Sequence, residues 1–254
     1  MTNVDKTLSK GLAILEQMSG LDKATGVSDL AKAMNLTKSN VHRLLQSLKK
    51  LGYVRQCTHS PAYELTPKLW EMGSAYISRT DIHTAAFESM HLLARASSET
   101  IHLSILEGQD VVYIGKIDSP LPIRTYTQLG GRAPAHAVAT GKVILAHQNP
   151  QIVTDLLPDT LESCTPKTVA NKDQFIIELG KIRSVGFATN MGEWSTNVNG
   201  IAAPIWNVSQ QVCAGIGITG PAERMDHASM LELAPIVVQA AKNISRSLGY
   251  IHRH

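Results

Sequence analysis

Apolar side chains recur at helical spacing through the first part of the chain. The pattern predicts an amphipathic helix over residues 5–19, built on Leu8, Leu12, Ala13, Ile14 and Leu15. A short second helix is predicted over residues 29–34, with Ser28 as its N-cap and Asn35 as its end. Two short helices in this order suggest a small helical domain at the start of the chain.

A third helix is predicted directly after a tight turn, with Thr37 as its N-cap. Its apolar positions follow the i, i+3, i+4, i+7 rule and must face a core: Val41, Leu44, Leu45 and Leu48. The opposite face presents cations and hydrogen-bonding groups without a carboxylate: Lys38, Ser39, Asn40, Arg43 and Gln46, with His42 at the edge.

After Gly52 the pattern changes from helical to alternating. Residues 53–56 and 62–66 predict two paired strands, joined by a turn over residues 57–61. A hairpin behind a helix-turn-helix is a wing, and Arg55 is its best candidate for a contact with a phosphate backbone or a minor groove.

Beyond residue 66 the pattern predicts a larger α+β unit. Helices are expected near residues 67–79, 82–97, 136–147, 150–157, 172–185 and 226–248. Strands are expected near residues 101–105, 111–117, 123–127, 187–191, 199–206 and 212–219. This order predicts an antiparallel sheet flanked by helices, and three regions: a winged helix-turn-helix over 1–66, a linker helix over 67–80 and a second domain over 81–254.

Positive charge is concentrated at the front of the 254-residue chain, whose net charge is only +3. Residues 1–70 hold ten lysines and arginines against five acidic residues, whereas the remainder holds fourteen against sixteen. No acidic residue lies between Asp29 and Glu64. Such a distribution is typical of a surface that binds a polyanion, although a basic face that contacts only solvent has the same signature.

A basic helix of this kind fits the major groove of double-stranded DNA. Arginine, asparagine and glutamine pair with base edges, while serine, threonine and lysine hold phosphates. We therefore expect DNA contacts from nine residues: Ser28, Thr37, Lys38, Ser39, Asn40, His42, Arg43, Gln46 and Arg55. The alternative for this module is a three-helix bundle that contacts another protein.

Other classes of protein have little support in the sequence. No apolar run approaches the length of a membrane span, no signal peptide is recognisable, and a cytoplasmic location is expected. The three cysteines are far apart and are expected to be reduced thiols. Histidines in the second domain lack the spacing of a metal site, and no nucleophile elbow, phosphate loop or complete dinucleotide motif is present, so neither an enzyme nor a cofactor is expected.

Taken together, short motifs in order along the whole chain resemble the IclR family of transcription regulators. In the front part these are residues 9–16 (SKGLAILE), 37–46 (TKSNVHRLLQ), 51–54 (LGYV) and 63–66 (YELT). In the back part they are residues 140–142 (TGK), 186–188 (GFA), 201–204 (IAAP) and 217–221 (GITGP), with Glu193. Residues 99–103, 112–118 and 244–250 are most similar to the subgroup that regulates the breakdown of sugar acids and pectin fragments.

The resemblance implies a GAF/profilin-like second domain that binds a small organic acid. It places the effector at eight positions: Ala139, Thr140, Gly141, Asn190, Gly200, Ile201, Gly217 and Thr219. Some sensors of small keto acids have Asp and Cys where this chain has Asn190 and Gly200, which favours a larger or less polar ligand here.

Structural roles are equally open for several of these positions. The three glycines can serve backbone geometry alone, and Asn190 can be a turn residue. Glu193 is expected to be structural, because a buried carboxylate needs a partner and repels an anionic effector. Trp194 and Trp206 are expected to pack in the core, with a place in the pocket wall as the alternative.

The function expected from charge and resemblance is an effector-controlled transcription regulator of a catabolic operon. It would bind operator DNA as a homodimer or homotetramer and act as a repressor, with an activator as the alternative. The alternatives are a protein-interaction module that binds a small molecule, or an enzyme, in either case without DNA binding.

Overall fold

The computed structural model describes residues 5–21, 23–78 and 82–251. The chain divides into two compact units, residues 1–79 and 80–254. Within the described ranges, no helix is both long and apolar enough to cross a lipid bilayer.

The described residues of the first unit form four helices and a two-stranded hairpin. Its elements are α1 (Lys6–Ser19), α2 (Val27–Ala33), α3 (Lys38–Lys50), β1 (Val54–Gln56), β2 (Tyr63–Leu65) and α4 (Lys68–Ser78). The four apolar positions predicted for α3 are all buried, and they pack against α1, α2 and Tyr63 of β2. In α1 the core is made by Ile14, Leu15 and Met18, whereas Leu8 and Leu12 are 62% and 52% exposed.

The start of α2 differs from its prediction. Gly26 is the N-cap residue, no side chain caps the helix, and Ser28 lies exposed inside the first turn. The backbone of neighbouring Thr25 pairs with Tyr63 in both directions, at 2.9 and 3.0 Å between N and O. This pairing fixes the chain before Ser28, so the helix begins earlier than the local sequence indicates. At α3 the prediction is correct, since Thr37 Oγ1 accepts a hydrogen bond from the N–H of Asn40.

The second unit is one six-stranded antiparallel sheet with helices on both faces. Its helices are α5 (Ile82–Ser97), α6 (Ala139–Ala146), α7 (Pro150–Leu156), α8 (Lys172–Val185) and α9 (His227–Ser247). Its strands are β3 (Thr100–Glu107), β4 (Asp110–Ile117), β5 (Arg132–Pro134), β6 (Ala188–Met191), β7 (Val198–Trp206) and β8 (Val212–Pro221), in the spatial order β5-β4-β3-β8-β7-β6. Helices α5 and α9 cover one face, and α6 and α8 cover the other. The predicted α+β fold is confirmed.

One predicted strand is wrong. Residues 123–127 are irregular, and β5 lies further along the chain. Thr125 and Thr127 are buried while Tyr126 is exposed, so the alternation is real, but no neighbouring strand pairs with it. Side chains hold this segment instead: Thr127 Oγ1 lies 2.7 Å from Nε2 of His102, and Lys116 donates to the Thr127 carbonyl.

Helix α6 is buried along its whole length, which requires very close packing on both of its sides. A β-carbon built on Gly141 would lie 2.2 Å from the carbonyl oxygen of Ala135, which belongs to a short 3-10 turn over residues 135–137. On the sheet side, a β-carbon on Gly215 would lie 2.9 Å from the Thr140 carbonyl oxygen. Only glycine lets the backbones approach this closely.

We therefore predict that Gly141→Ala destabilises the second unit by ~2 kcal/mol or more, because the added methyl meets backbone atoms that have no room to move. Gly180→Ala is the matched control. Gly180 lies in the exposed middle of α8, and no atom lies within 4 Å of the place that an added methyl would take. Alanine is the better helix former by about 0.5–1 kcal/mol, so this variant should be slightly stabilised. Urea unfolding of the two full-length variants decides; equal midpoints would contradict the packing argument.

Candidate functional sites

The exposed face of α3 carries most of the residues predicted to contact DNA. Lys38, Ser39, His42 and Arg43 are exposed, and Asn40 is half-buried. Within the described part of the chain, no ion pair or hydrogen bond engages the side chains of Lys38 and Arg43. Ser28 and Thr37, from the starts of α2 and α3, are exposed as well. The face is therefore cationic and accessible, and no carboxylate of the described residues pairs with Lys38 or Arg43.

Four of the predicted contacts have side-chain partners inside the protein: Thr37 caps α3 through Asn40, His42 lies 3.4 Å from Gln46, and Gln46 and Arg55 bind the hairpin. Gln46 donates from Nε2 to the hydroxyl of buried Tyr63, at 2.9 Å, which ties α3 to the hairpin. Arg55 pairs across the hairpin with Glu64, at 2.6 Å between Nε and Oε1, and both side chains are substantially exposed. An exposed pair of this kind is weak, so Arg55 can exchange its partner for a phosphate at little cost.

A cavity of about 530 Å³ lies in the second unit, between the sheet, the start of α6 and the irregular segment that contains residues 123–127. Six of the eight predicted effector residues line it: Ala139, Thr140, Asn190, Gly200, Ile201 and Thr219. Gly141 and Gly217 do not. A β-carbon on Gly217 would lie 2.6 Å from the Ile201 carbonyl oxygen, so this glycine, like Gly141, serves close packing.

Sequence reasoning missed much of the cavity wall. The additional lining residues include His102, Tyr113, Arg124, Thr125, Tyr126, Thr127, Trp194 and Ser195. The core packing expected for Trp194 is therefore incomplete, because it packs on the core and also faces the cavity. The motifs that contain His102 and Tyr113 resemble the family, but nothing in them indicates that the two rings meet, with centroids 4.6 Å apart.

The deepest ionisable group in this wall is a neutral histidine. Burial, with the charge of Lys116 as the next contribution, lowers the pKa of His102 to about 3. Burial also raises the pKa of Tyr113 to about 12. Both rings are therefore uncharged at neutral pH, and they can donate or accept hydrogen bonds without adding charge.

Three features favour an anionic, hydrogen-bonding ligand. The lining contains one cation, Arg124, and no Asp or Glu. The α6 helix begins at the cavity with Val138 as an N-cap that has no side-chain capping bond, and free N–H groups at a helix start attract carboxylates. The hydroxyl of Thr125 is buried in the wall without a hydrogen-bond partner among the described residues. A buried polar atom of this kind calls for a partner.

Comparison with known proteins identifies the family of this chain. Residues 7–57 match the IclR helix-turn-helix domain, and residues 74–246 match the C-terminal domain of the bacterial transcriptional regulator IclR. This chain belongs to the IclR family. It is accordingly a transcription regulator of the kind that binds DNA and responds to small-molecule effectors, not an enzyme.

The chain is similar over most of its length to IclR-family regulators and to solved structures. The chain is 33% identical to the HTH-type transcriptional regulator KdgR of Dickeya chrysanthemi over 92% of this chain and 77% of that protein. It is 32% identical to the regulator XynR of Escherichia coli, over 96% and 98% of the two chains. The crystal structure of Thermotoga maritima IclR matches with a TM-score of 0.82 at 28% identity, covering 96% of this chain and 99% of that one.

In this IclR-family chain the Gly-Lys motif places a buried cation behind the cavity. The Lys142 ammonium, 1% exposed, lies 2.8 Å from both carboxylate oxygens of Glu193 and 2.7 Å from Glu178. Burial raises the pKa of Glu193, and Lys142 opposes that rise. Glu193 therefore has the structural role expected for it, because it pairs with Lys142 inside the protein. Its neighbours Asn190 and Trp194 line the cavity. Asn190 also makes the predicted turn, because its Oδ1 accepts from the N–H of Glu193 at 2.8 Å.

The neutral state of His102 predicts a pH dependence of stability. Its pKa is about 3 in the folded protein and 6.5 in the unfolded chain, so on acidification the unfolded chain binds the proton first. The stability from neutral His102 is complete above pH 6.5 and is lost as the pH falls toward 3. The loss is at most ~1.4 kcal/mol per pH unit for one proton.

His102→Gln should remove the contribution of His102 to the fall in unfolding free energy between pH 6.5 and 5. The measurement is urea unfolding of the intact chain at each pH. His83→Gln, at an exposed position of α5, controls for the loss of an imidazole as such. A slope as steep in His102→Gln as in the natural sequence would contradict the assignment.

Proposed function

We propose that this protein binds operator DNA through the exposed face of α3 and releases or rearranges on DNA when a sugar acid occupies the cavity of the second unit. The observation that carries the DNA half is the unpaired, acid-free cationic face around Arg43. The orphaned Thr125 hydroxyl, in a wall with Arg124 and without carboxylates, carries the effector half. The regulated genes would form a catabolic operon for such an acid.

On DNA, α3 lies in the major groove. We expect Arg43 to reach base edges together with the amide nitrogen of half-buried Asn40, whose Oδ1 is buried. Gln46 contributes its carbonyl oxygen, because its amide nitrogen lies against both the Tyr63 hydroxyl and the His42 ring. Thr37, Lys38 and Ser39 form the first turn, which suits phosphates. Ser28 and His42 flank this row, and Arg55 reaches the neighbouring backbone from the hairpin.

The assembly on DNA is proposed to be a homodimer or a pair of dimers, as the family resemblance implies. Exposed Leu8 and Leu12, four residues apart on one side of α1, support a further contact between copies. Helix α4 would act as the linker between residues 1–66 and 81–254. Because effector and DNA sites lie in different units, the effector must bind the DNA-competent and incompetent arrangements with different affinities.

We predict that Arg43→Glu lowers affinity for DNA at least ~30-fold and flattens its salt dependence, because a base contact is lost and a like charge faces the phosphates. The measurement is fluorescence polarisation with duplexes from the region upstream of the gene and with random-sequence duplexes, across a salt series. The stoichiometry at saturation reports the number of chains per duplex.

Arg95→Glu is the matched control. Arg95 is exposed on α5, and its replacement by Glu changes the net charge by the same amount as Arg43→Glu does. It should leave binding nearly unchanged. If Arg43→Glu and Arg95→Glu bind alike, or if the natural sequence binds no duplex even at low salt, the proposed interface is wrong.

The effector is proposed to be a sugar acid, whose carboxylate and several hydroxyls match the donors and acceptors of the wall. The α6 start and Arg124 suit the carboxylate, while Thr125, Thr219 and Asn190 suit hydroxyls. Gly200 keeps this space open, because a β-carbon there would lie 3.1 Å from Oγ1 of Thr219. The resemblance of residues 99–103, 112–118 and 244–250 to the subgroup that regulates sugar-acid breakdown supports this ligand class.

An aromatic acid is the second candidate, favoured by Tyr113, Tyr126 and Trp194 in the wall. An IclR homologue from Microbacterium hydrocarbonoxydans, 22% identical with a TM-score of 0.83, was crystallised with 4-hydroxybenzoate. That likeness concerns the fold. The hydroxyls of four threonines and of Ser195, the amide of Asn190 and the cation of Arg124 support the sugar acid.

We predict that Thr125→Val weakens sugar-acid binding ~5- to 10-fold, as expected for one lost hydrogen bond, without lowering the stability of the free protein. The probes are galacturonate, gluconate and 4-hydroxybenzoate. Their binding is measured by calorimetry and by the shift in thermal melting temperature. Thr189→Val is the control, since Thr189 neighbours Asn190 on β6 but is not among the residues that line the cavity. Binding of 4-hydroxybenzoate alone would favour the second candidate; binding of none of the three would refute the assignment.

A further inference from the structure

A second cavity, of about 480 Å³, lies at the opposite end of β7 from the residues that line the effector cavity. It is bounded by the ends of α6 and α8, the last residues of β7 and the C-terminal half of α9. The volume is within the range of small-molecule sites. The two cavities share no lining residue.

Three aromatic rings make one wall of this second cavity. Trp206 is stacked on Tyr250, with centroids 5.5 Å apart and an angle of 26° between the planes. His147 meets Trp206 edge-to-face at 5.2 Å. Burial is the main cause that lowers the pKa of His147, so its ring is neutral, and it lies close to the carbonyl of Val143 at 2.9 Å. The wall therefore holds the Trp206–Tyr250 stack in a fixed orientation, with His147 edge-on to Trp206.

Two cations lie beside these rings. Lys242 and Arg246 are four residues apart on α9 and thus on the same helix face. Within the described residues neither makes an ion pair, and the guanidinium of Arg246 makes one long hydrogen bond, 3.5 Å, to Oδ1 of Asn243. The lining contains no Asp or Glu. Among the residues that the structure describes, no carboxylate of the lining compensates the charge of Lys242 and Arg246.

An unpaired edge of β7 lies beside the second cavity. Strand β6 pairs with β7 only as far as Ala202, so residues 203–206 form a free edge on that side. The N–H of Trp206 points away from β8 and donates to Oγ of Ser245 on α9, at 2.9 Å. Pro204, two residues earlier, faces the same edge without an N–H, which prevents another strand from pairing there. The rings and the two cations are therefore fixed to one another through Ser245.

We propose that this second cavity binds a planar aromatic carboxylate, which stacks beside Trp206 while its carboxylate lies between Lys242 and Arg246. The site is separate from the effector cavity and does not depend on the function proposed above. A fused bicyclic acid is small enough to enter this cavity and has a flat face for the Trp206 ring, and its carboxylate suits the two cations.

The three tryptophans of the chain allow the two cavities to be distinguished in one experiment. Trp194 lines the effector cavity, Trp206 lines the second cavity, and Trp70, 69% exposed on α4, serves as a reference. The full-length protein, labelled with ¹⁵N-tryptophan, is titrated with 2-naphthoate and with the neutral 2-naphthamide. Each indole signal is assigned from its Trp→Phe variant. We expect a saturable shift of the Trp206 signal, with an affinity about tenfold weaker for the amide.

The variants Lys242→Gln and Arg246→Gln should each weaken 2-naphthoate binding at the Trp206 signal by ~2- to 5-fold, as expected for exposed ion pairs. Arg95→Gln is the control for loss of a cation elsewhere in the same unit. All three positions are exposed, so the substitutions should not affect folding.

Several results would overturn the proposal. One is a shift of Trp194 without a shift of Trp206, which places the ligand in the effector cavity alone. Another is a Trp206 shift that Thr125→Val abolishes, because the signal would then report binding at the effector cavity. Equal affinity for naphthoate and naphthamide, or for the natural sequence and both α9 variants, would refute the role of the cations.

Discussion

The second unit depends on how closely α6 approaches its surroundings. A helix buried on every side must contact backbone as well as side chains, and here Gly141 on the helix and Gly215 and Gly217 on β8 make room for it. The contact of Thr140 with β8 sets the depth of the helix in the fold. Since the start of α6 forms part of the effector cavity, the same contact sets the position of its N–H groups.

Burial of α6 has a second consequence, because the helix takes a lysine into the interior. An unpaired ammonium at the depth of Lys142 would cost several kcal/mol, so the fold must supply carboxylates. Glu193 is the more deeply buried partner, and it belongs to the turn that brings Trp194 and Ser195 to the cavity. Thr165 and Thr168 hold the same turn through the carbonyls of Gly192 and Glu193. Charge burial and cavity shape are therefore coupled through one turn.

The sequence predicted those parts of this arrangement that are local. The TGK motif, the turn at Asn190 and the strands near residues 187–219 follow from patterns a few residues long. The cavity wall as a whole does not, because His102, Thr127 and Thr219 come from distant parts of the chain. The wrong strand at residues 123–127 has the same origin. Alternation indicates an extended chain with one buried side, but whether a strand lies beside it depends on the tertiary fold.

The roles of Gly141 and Gly217 are ambiguous in the sequence for another reason. Close approach of the backbone to a ligand and close approach to a neighbouring backbone both select glycine. Only the distances to Ala135 and Ile201 distinguish the two.

The DNA-binding unit was predictable to a greater extent because its surface is made by one helix. The 3.6-residue period assigns the core face and the exposed face of α3 together, and the core face is confirmed in full. The period cannot show which side chains at the boundary between the two faces bind to other elements of the fold. Gln46 lies there, and its bond to Tyr63 requires the hairpin to fold back onto the helix. A helix face can thus be predicted from sequence in its polarity, whereas the side chains that remain available on it are determined by the neighbouring elements.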